Sequence, residues 1–449
     1  MTEGKIYSKI SLFALPIFIG QLFQQFYNVA DSLVVGRYLG KQALAAVSSS
    51  GSLIFLLVGF INGVFVGAGV VIGRYYGARE NGKVHTAVHT TTAFAVLSGL
   101  FLTAAGMLLT PLILRLNTPA DVLPESIRYF RLYFAGALGN VLYNAFNGIF
   151  QARGDSRHPL YYLIISSITN VVLDILFVKY FKWGVGGAAA TVISQFLSAI
   201  ISFVKLTTVD DVHKIVPRDV RIDWPMLREV LATGLPTGVQ NSVIGLANVI
   251  VQSNINDFGS DAMAGCGAYF KIEGFAFLPV TSFSVALTTF TSQNLGAKQY
   301  DRVKKGTAFG LVSGVALAEL IGIVFVIFAP SLIAMFNSSP EVVAFGAMQA
   351  RTEALFYCVL SLSHCMAGII RGAGKTMVPM LIMLICWCVI RVAYITITVH
   401  FIPDIRVVFW GYPITWMLSS VCFTLYYFKG DWMHNFERLD ARRNAQNRN

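Results

Sequence analysis

Asn170 and Asp174 interrupt an otherwise apolar run from Ile165 to Phe177. Four residues apart, they stack on one side of a helix and leave the opposite side greasy. A third polar group of this kind, Asp31, follows Asn28 by three residues and Tyr27 by four in the first apolar run of the chain. An ionised carboxylate near the middle of a bilayer helix costs about 2.5 to 3.5 kcal/mol on insertion scales. Apart from Arg128 and Arg131 at the edge of the fourth run, the apolar runs of the first half contain no basic residue to offset that cost. Such acids either hold a proton near neutral pH or bind a cation.

The second half has a different balance. Its apolar runs contain Lys271, Glu273, Glu319, Glu353 and Arg391, so internal pairing can offset much of the burial cost. The alternative is a polar cavity lined by Gln240, Asn241, Lys271, Glu273 and Arg391. Gly374-Lys375-Thr376 resembles the end of a nucleotide-binding loop, but position 369, where the first glycine belongs, is Ile, and no strand precedes it. Its counterpart Gly154-Asp155-Ser156 marks the same helix connection in the first half. No nucleophile elbow, metalloprotease motif or cluster of His and Cys ligands is present, so neither an enzyme nor a resident metal or organic cofactor is expected. The six cysteines all fall in or beside apolar runs of the second half and read as buried free thiols.

The elements that must carry these groups are membrane helices. Of 449 residues, 55% are hydrophobic and 13% charged, which excludes an ordinary soluble protein. Twelve apolar stretches, at about 10–36, 46–73, 86–113, 127–150, 159–178, 184–204, 229–255, 262–292, 306–335, 344–370, 377–400 and 407–428, are each long enough to cross a core of about 30 Å. Of the 34 Lys and Arg residues, 23 fall in the N-terminal tail, the even-numbered connections and the C-terminal tail, against 9 in the odd-numbered connections and the span ends beside them. The positive-inside rule thus places both termini in the cytoplasm of a multi-pass protein of the cell membrane. The net charge of +11 is scattered over short turns, which fits the inner lipid surface and not nucleic acid.

The chain also repeats itself with a period near 220 residues. Leu15-Pro16 matches Leu235-Pro236, Gly77-Ala78 matches Gly296-Ala297, and Gly148 to Pro159 matches Gly368 to Pro379. The expected fold is therefore all-α and polytopic, with twelve transmembrane helices in two homologous six-helix lobes around a central cleft. Residues 1–206 form the N-terminal lobe, 207–228 a cytoplasmic linker, 229–428 the C-terminal lobe and 429–449 a cytoplasmic tail. Pro16, which recurs as Pro236, is the candidate hinge.

Tyr27-Asn28-Val-Ala-Asp31, Gln151-Ala-Arg-Gly-Asp155, Asn170-x-x-x-Asp174 and Arg371-Gly-Ala-Gly374, in this order and on this duplicated plan, resemble the multidrug and toxic compound extrusion (MATE) family. The resemblance covers nearly the whole chain. It implies export of organic, often cationic and amphiphilic compounds in exchange for inward H+ or Na+. Members with an acidic first lobe imply a coupling-cation site at Asp31, Asn147, Asn170, Asp174 and Thr191, with Tyr27 and Tyr129 in the network. Gln24, Asn28 and Asn144 would face an adjoining substrate cavity. The branch that places acids in spans 7 and 10 is matched poorly, since span 7 offers Gln240 and Asn241 and the region of Leu360 has no Asp.

The function expected is a cation-coupled antiporter, driven by H+ in preference to Na+, working by alternating access. Its partners are small organic substrates and membrane lipids, it binds no nucleic acid, and it is expected to be a monomer. A lipid-linked precursor flippase of the same wider superfamily, or a passive facilitator, is the competing class. Twelve spans and acids in the first lobe argue against the flippase.

Overall fold

The computed structural model describes residues 1–38, 40–117, 123–183 and 186–446, and within them the side chains outside 28–57, 113, 115–117, 125, 186, 442–444 and 446. Among these residues every regular element is helical. The helices are α1 (Ile6–Tyr38), α2 (Gly40–Gly77), α3 (Asn81–Asn117), α4 (Leu123–Ala135), α5 (Ala137–Arg153), α6 (Arg157–Asp174), α7 (Gly186–Thr208) and α8 (Trp224–Asn256). They continue with α9 (Ser260–Gly296), α10 (Tyr300–Ala334), α11 (Pro340–Glu353), α12 (Tyr357–Gly372), α13 (Met377–Met383), α14 (Arg391–Phe401), α15 (Ile405–Lys429) and α16 (Asn435–Gln446).

As far as it is described, each of the twelve apolar stretches falls on one helix or on a helix with a single irregularity. Ten helices of the described residues are long and apolar enough to cross a bilayer. The stretch at 127–150 is divided at Gly136 into α4 and α5, two pieces of 13 and 17 residues. The stretch at 229–255 lies in α8, 33 residues long but carrying Gln240, Asn241, Asn248, Gln252 and Asn254. Spans 5 and 11 contain π-helical stretches, Ile175–Tyr180 directly after Asp174 and Leu384–Ile390 directly before Arg391. Span 10 breaks into 3-10 geometry at Ala354–Phe356, between α11 and α12.

The internal repeat is visible in backbone geometry. After α2 the chain turns through Arg79 at φ 59°, and after α9 through Lys298 at φ 55°. The turns after α5 and α12 pass through Gly154 at φ 88° and Gly374 at φ 76°, in the left-handed region that glycine enters without strain. This places Gly374-Lys375-Thr376 at a helix connection.

The chain forms two compact units. One, the N unit, is Ile19–Leu235; the other, the C unit, is Met1–Phe18 with Pro236–Asn449. Their boundaries fall inside α1 and α8, two residues after Pro16 and at Pro236 itself. In the C unit, Ile10, Phe13 and Ala14 of α1 pack with Ala286 and Phe290 of α9. In the N unit, the first turns of α8 pack on α2, where a Cβ on Gly67 would stand 2.2 Å from the Gly234 Cα. Only glycine permits backbones to approach so closely. Arg74 of α2, almost fully buried, donates from Nη1 to Glu229 Oε1 at 2.9 Å, and the Tyr75 hydroxyl donates to Glu229 Oε2 at 2.8 Å.

The segment after α7 is fastened to the N unit by polar contacts. Arg153 Nε lies 2.8 Å from Asp211 Oδ2, and the Val216 amide donates to His89 Nε2 at 2.9 Å. The His213 imidazole beside Asp211, reinforced by Arg153, holds that carboxyl below its ordinary value despite partial burial. A depressed folded-state pKa contributes stability above the unfolded value, near 4, and loses it as pH falls through the folded value. Limited proteolysis of residues 207–228 is therefore expected to stay slow from neutral pH down to about pH 4 and to accelerate only below it. In the C unit, the tail turns into α16, anchored by Asn435 Nδ2 donating to the Ala373 carbonyl at 2.9 Å.

Candidate functional site

Span 5 is amphipathic with its polar side inward. Ile165, Ile168, Val172, Ile175 and Leu176 are exposed, whereas Ser166, Ser167, Asn170 and Asp174 are buried. In water this arrangement would be inside out; in a bilayer it turns the apolar side to lipid and the carboxylate to protein. Asp174 is 0% exposed and Asn170 1%.

With its amide oriented to satisfy both neighbours, Asn170 Nδ2 donates to Asp174 Oδ2 at 2.8 Å, and its oxygen accepts from the Thr191 backbone amide at 3.1 Å. Thr191 Oγ1 is 3.4 Å from the Tyr27 hydroxyl. A chain of polar contacts thus runs from Tyr27 of α1 through Thr191 of α7 to Asn170 and the buried carboxylate of α6. Ser194, one turn after Thr191, donates to the Ala190 and Thr191 carbonyls at 2.9 Å each, so the polar seam continues along α7. The π-helical stretch that begins at Ile175 changes the helical register beyond the carboxylate.

The other candidate positions have local contacts of their own. Asn147 Oδ1 accepts from Gln151 Nε2 at 3.1 Å within α5, and Asn144 Nδ2 donates to the Asn140 carbonyl at 2.9 Å. Tyr129 packs with Leu114, Phe130 and Phe134. Gln24 is exposed and Pro16 buried. Asp31 and Asn28 lie outside the residues whose side chains are described.

In the C unit, Gln240 is buried and its Nε2 contacts Met383 Sδ at 2.9 Å, while Asn241 is half-buried. Glu273 and Arg391 are buried. Lys271 is exposed, with its Nζ 5.6 Å from the centre of the Phe336 ring. Two residues apart on a helix, Lys271 and Glu273 point to different sides. Glu319 accepts the Cys358 backbone amide at 2.9 Å and so caps the first turn of α12 from a neighbouring helix. Neither that cap nor the Arg74–Glu229 pair is signalled by local sequence spacing.

A duplicated bundle of apolar helices, with a polar cluster closed around a buried carboxylate, defines a polytopic membrane protein. The sequence matches the MatE family over residues 16–176 and 236–397, one match for each half of the repeat, and the chain belongs to that family. It is 28% identical to the probable multidrug resistance protein YoeA of Bacillus subtilis, over 95% of this chain and 94% of that one. It is 26% identical to the probable multidrug resistance protein NorM of Thermotoga maritima, over 82% and 80% of the two chains. A solved MOP superfamily transporter from Pyrococcus furiosus shares the fold, with a TM-score of 0.89, 22% identity and coverage of 98% and 97%. These matches bear out the expected family and the all-helical, two-lobed, twelve-helix plan.

Proposed function

We propose that this chain is a multidrug exporter that moves organic, often cationic amphiphilic compounds out of the cell by alternating access, in exchange for an inward cation, H+ in preference to Na+. The observation that carries the reading is Asp174, fully buried on the inward side of a lipid-facing helix and held by Asn170 beside Thr191. A carboxylate removed from both water and lipid is costly unless its charge is regulated, and a reversible proton does that. The names of the relatives from B. subtilis and T. maritima support the substrate class. Asp31 is assigned to the same proton site, and Gln24, Asn28 and Asn144 to the substrate path. Pro16 is assigned as the point about which α1 bends. No cofactor beyond the coupling ion is required.

The energetics are sufficient. One proton descending 100 mV releases about 2.3 kcal/mol, against about 1.4 kcal/mol for each tenfold substrate gradient. Export of one monovalent cation for one proton cancels the electrical part, so only the pH difference drives it. In proteoliposomes loaded with a cationic amphiphilic dye, an imposed H+ gradient is expected to drive dye movement and an imposed Na+ gradient to leave it unchanged. Dye movement that follows its own gradient alone would identify a facilitator and overturn the reading.

A further inference from the structure

The C unit carries a groove of about 780 Å³ between α10, α11 and α15. Pro330 lines it from α10 and Trp410 from α15, and α11 lays a stripe along it: Ala344, Met348, Arg351 and Leu355, three or four residues apart. The opposite side of α11, with Val342, Gly346, Gln349 and Glu353, is buried. There a Cβ on Gly265 of α9 would stand 2.5 Å from the Val342 carbonyl oxygen. The groove thus opens away from α9. Ile327, Phe328, Leu355 and Trp410, in or beside it, are exposed, as on a surface that meets lipid.

One charge interrupts this apolar surface. Arg351 is exposed eleven residues past Pro340, about 16 Å along the helix at 1.5 Å per residue. It has no ion pair or hydrogen bond among the described residues. Glu353, two residues on, is buried on the other side of α11. The acids at the helix starts are engaged locally: Glu341 Oε2 accepts from Ser339 Oγ at 2.8 Å, and Asp404 Oδ1 accepts from the Arg406 amide at 2.9 Å. A guanidinium facing hydrocarbon at this depth is costly without an anion.

The direction of the side chain names the source of that anion. Helical side chains tilt toward the N-terminus of their helix, and long basic ones carry the head group the same way, so Arg351 extends toward the surface that holds Pro340. Trp410, close to the beginning of α15, lines the same groove as Pro340, so both helices start at that surface. Trp410 is 43% exposed and packs edge-on against Phe356 at 5.7 Å, in the manner of an aromatic anchor at a membrane interface. Arg406, exposed one turn before Trp410 on the same side of α15, adds a second positive charge nearer the water.

We propose that this groove is a binding site for one anionic phospholipid, with its phosphate on Arg351, its head group toward Arg406 and an acyl chain along the α11 stripe. A guanidinium fork matches phosphate oxygens in pairs, and a groove of this size suits a ligand of that bulk. A cationic amphiphile is repelled by the two arginines, and a small soluble anion would leave the apolar walls uncovered. The lipid belongs to the leaflet beside Pro340, the outer one on the topology that the basic residues give. Leu355 and Phe356 at the inner end of the groove belong to the 3-10 turn that interrupts span 10, so the acyl chain rests against that break.

Titration of the delipidated full chain with phosphatidylglycerol or phosphatidylcholine of identical acyl chains, read by native mass spectrometry, tests this site without any transport step. Wild type is expected to bind one phosphatidylglycerol about tenfold more tightly than phosphatidylcholine. Arg351→Gln should bring the two lipids level, and Ala344→Trp, which fills the groove, should weaken both. Arg228→Gln, at the start of α8, should behave as wild type. Phosphatidylglycerol brominated on its acyl chain should quench the part of the tryptophan emission that Trp410→Phe removes. No preference in wild type, a preference that survives Arg351→Gln, or an equal loss in Arg228→Gln would overturn the proposal. Binding that leaves the Trp410 emission unquenched would place the lipid elsewhere and overturn it as well.

Discussion

Replacing Asp174 with Asn is expected to reduce substrate-driven proton exchange in proteoliposomes at least tenfold while leaving the protein folded. The amide keeps the size of the side chain and can still bond Asn170, which lies 2.8 Å from Asp174 Oδ2. What it removes is the ability to change charge. Because a neutral group replaces one that is costly to bury, the unfolding temperature should hold or rise. Dye-for-dye exchange, which moves no net ion, should survive. Wild-type proton uptake on addition of substrate to the Asn variant would remove Asp174 from the mechanism. Loss of both modes with normal folding would make it a substrate contact and not a coupling group.

Glu229→Ala is the substitution expected to cost most stability. It leaves the Arg74 guanidinium, whose side chain is 5% exposed, without the carboxylate 2.9 Å away, and the Tyr75 hydroxyl without the acceptor at 2.8 Å. Stranding one member of a buried pair costs about 3 to 5 kcal/mol, and the 13% exposure of Glu229 favours the lower end. A double-mutant cycle with Arg74→Met checks it. The double variant should recover much of the loss, because the stranded charge is gone. If Glu229→Ala shifts the unfolding temperature no more than an ordinary surface substitution, the pair does not hold α8 to α2.

The Asp174 site was legible because its signal is periodic. Asn170 and Asp174 are four apart in an apolar run, and one side of a helix is all that spacing allows. The duplication was legible too, since the paired Gly and Pro positions recur at a constant offset and mark the same turns. The separation of Lys271 from Glu273 also follows from their spacing of two. Other features depend on distant partners. Arg74 and Glu229 are 155 residues apart, and nothing local to either names the other. Asn147 accepts its hydrogen bond from Gln151 on its own helix, a pairing that the spacing of four also makes legible.

The opening segment of α1 belongs to the C unit, and that of α8 to the N unit. Severing the chain in residues 207–228 would therefore produce two fragments, neither containing a whole unit. The N-terminal piece would carry Ile10, Phe13 and Ala14 without Ala286 and Phe290 to cover them, and its sibling would hold Glu229 and Gly234 with no α2 to meet. Each half is thus an incomplete folding unit until its sibling lends it a helix end, and synthesis of the first six spans leaves an unfinished surface that only the seventh and eighth can close.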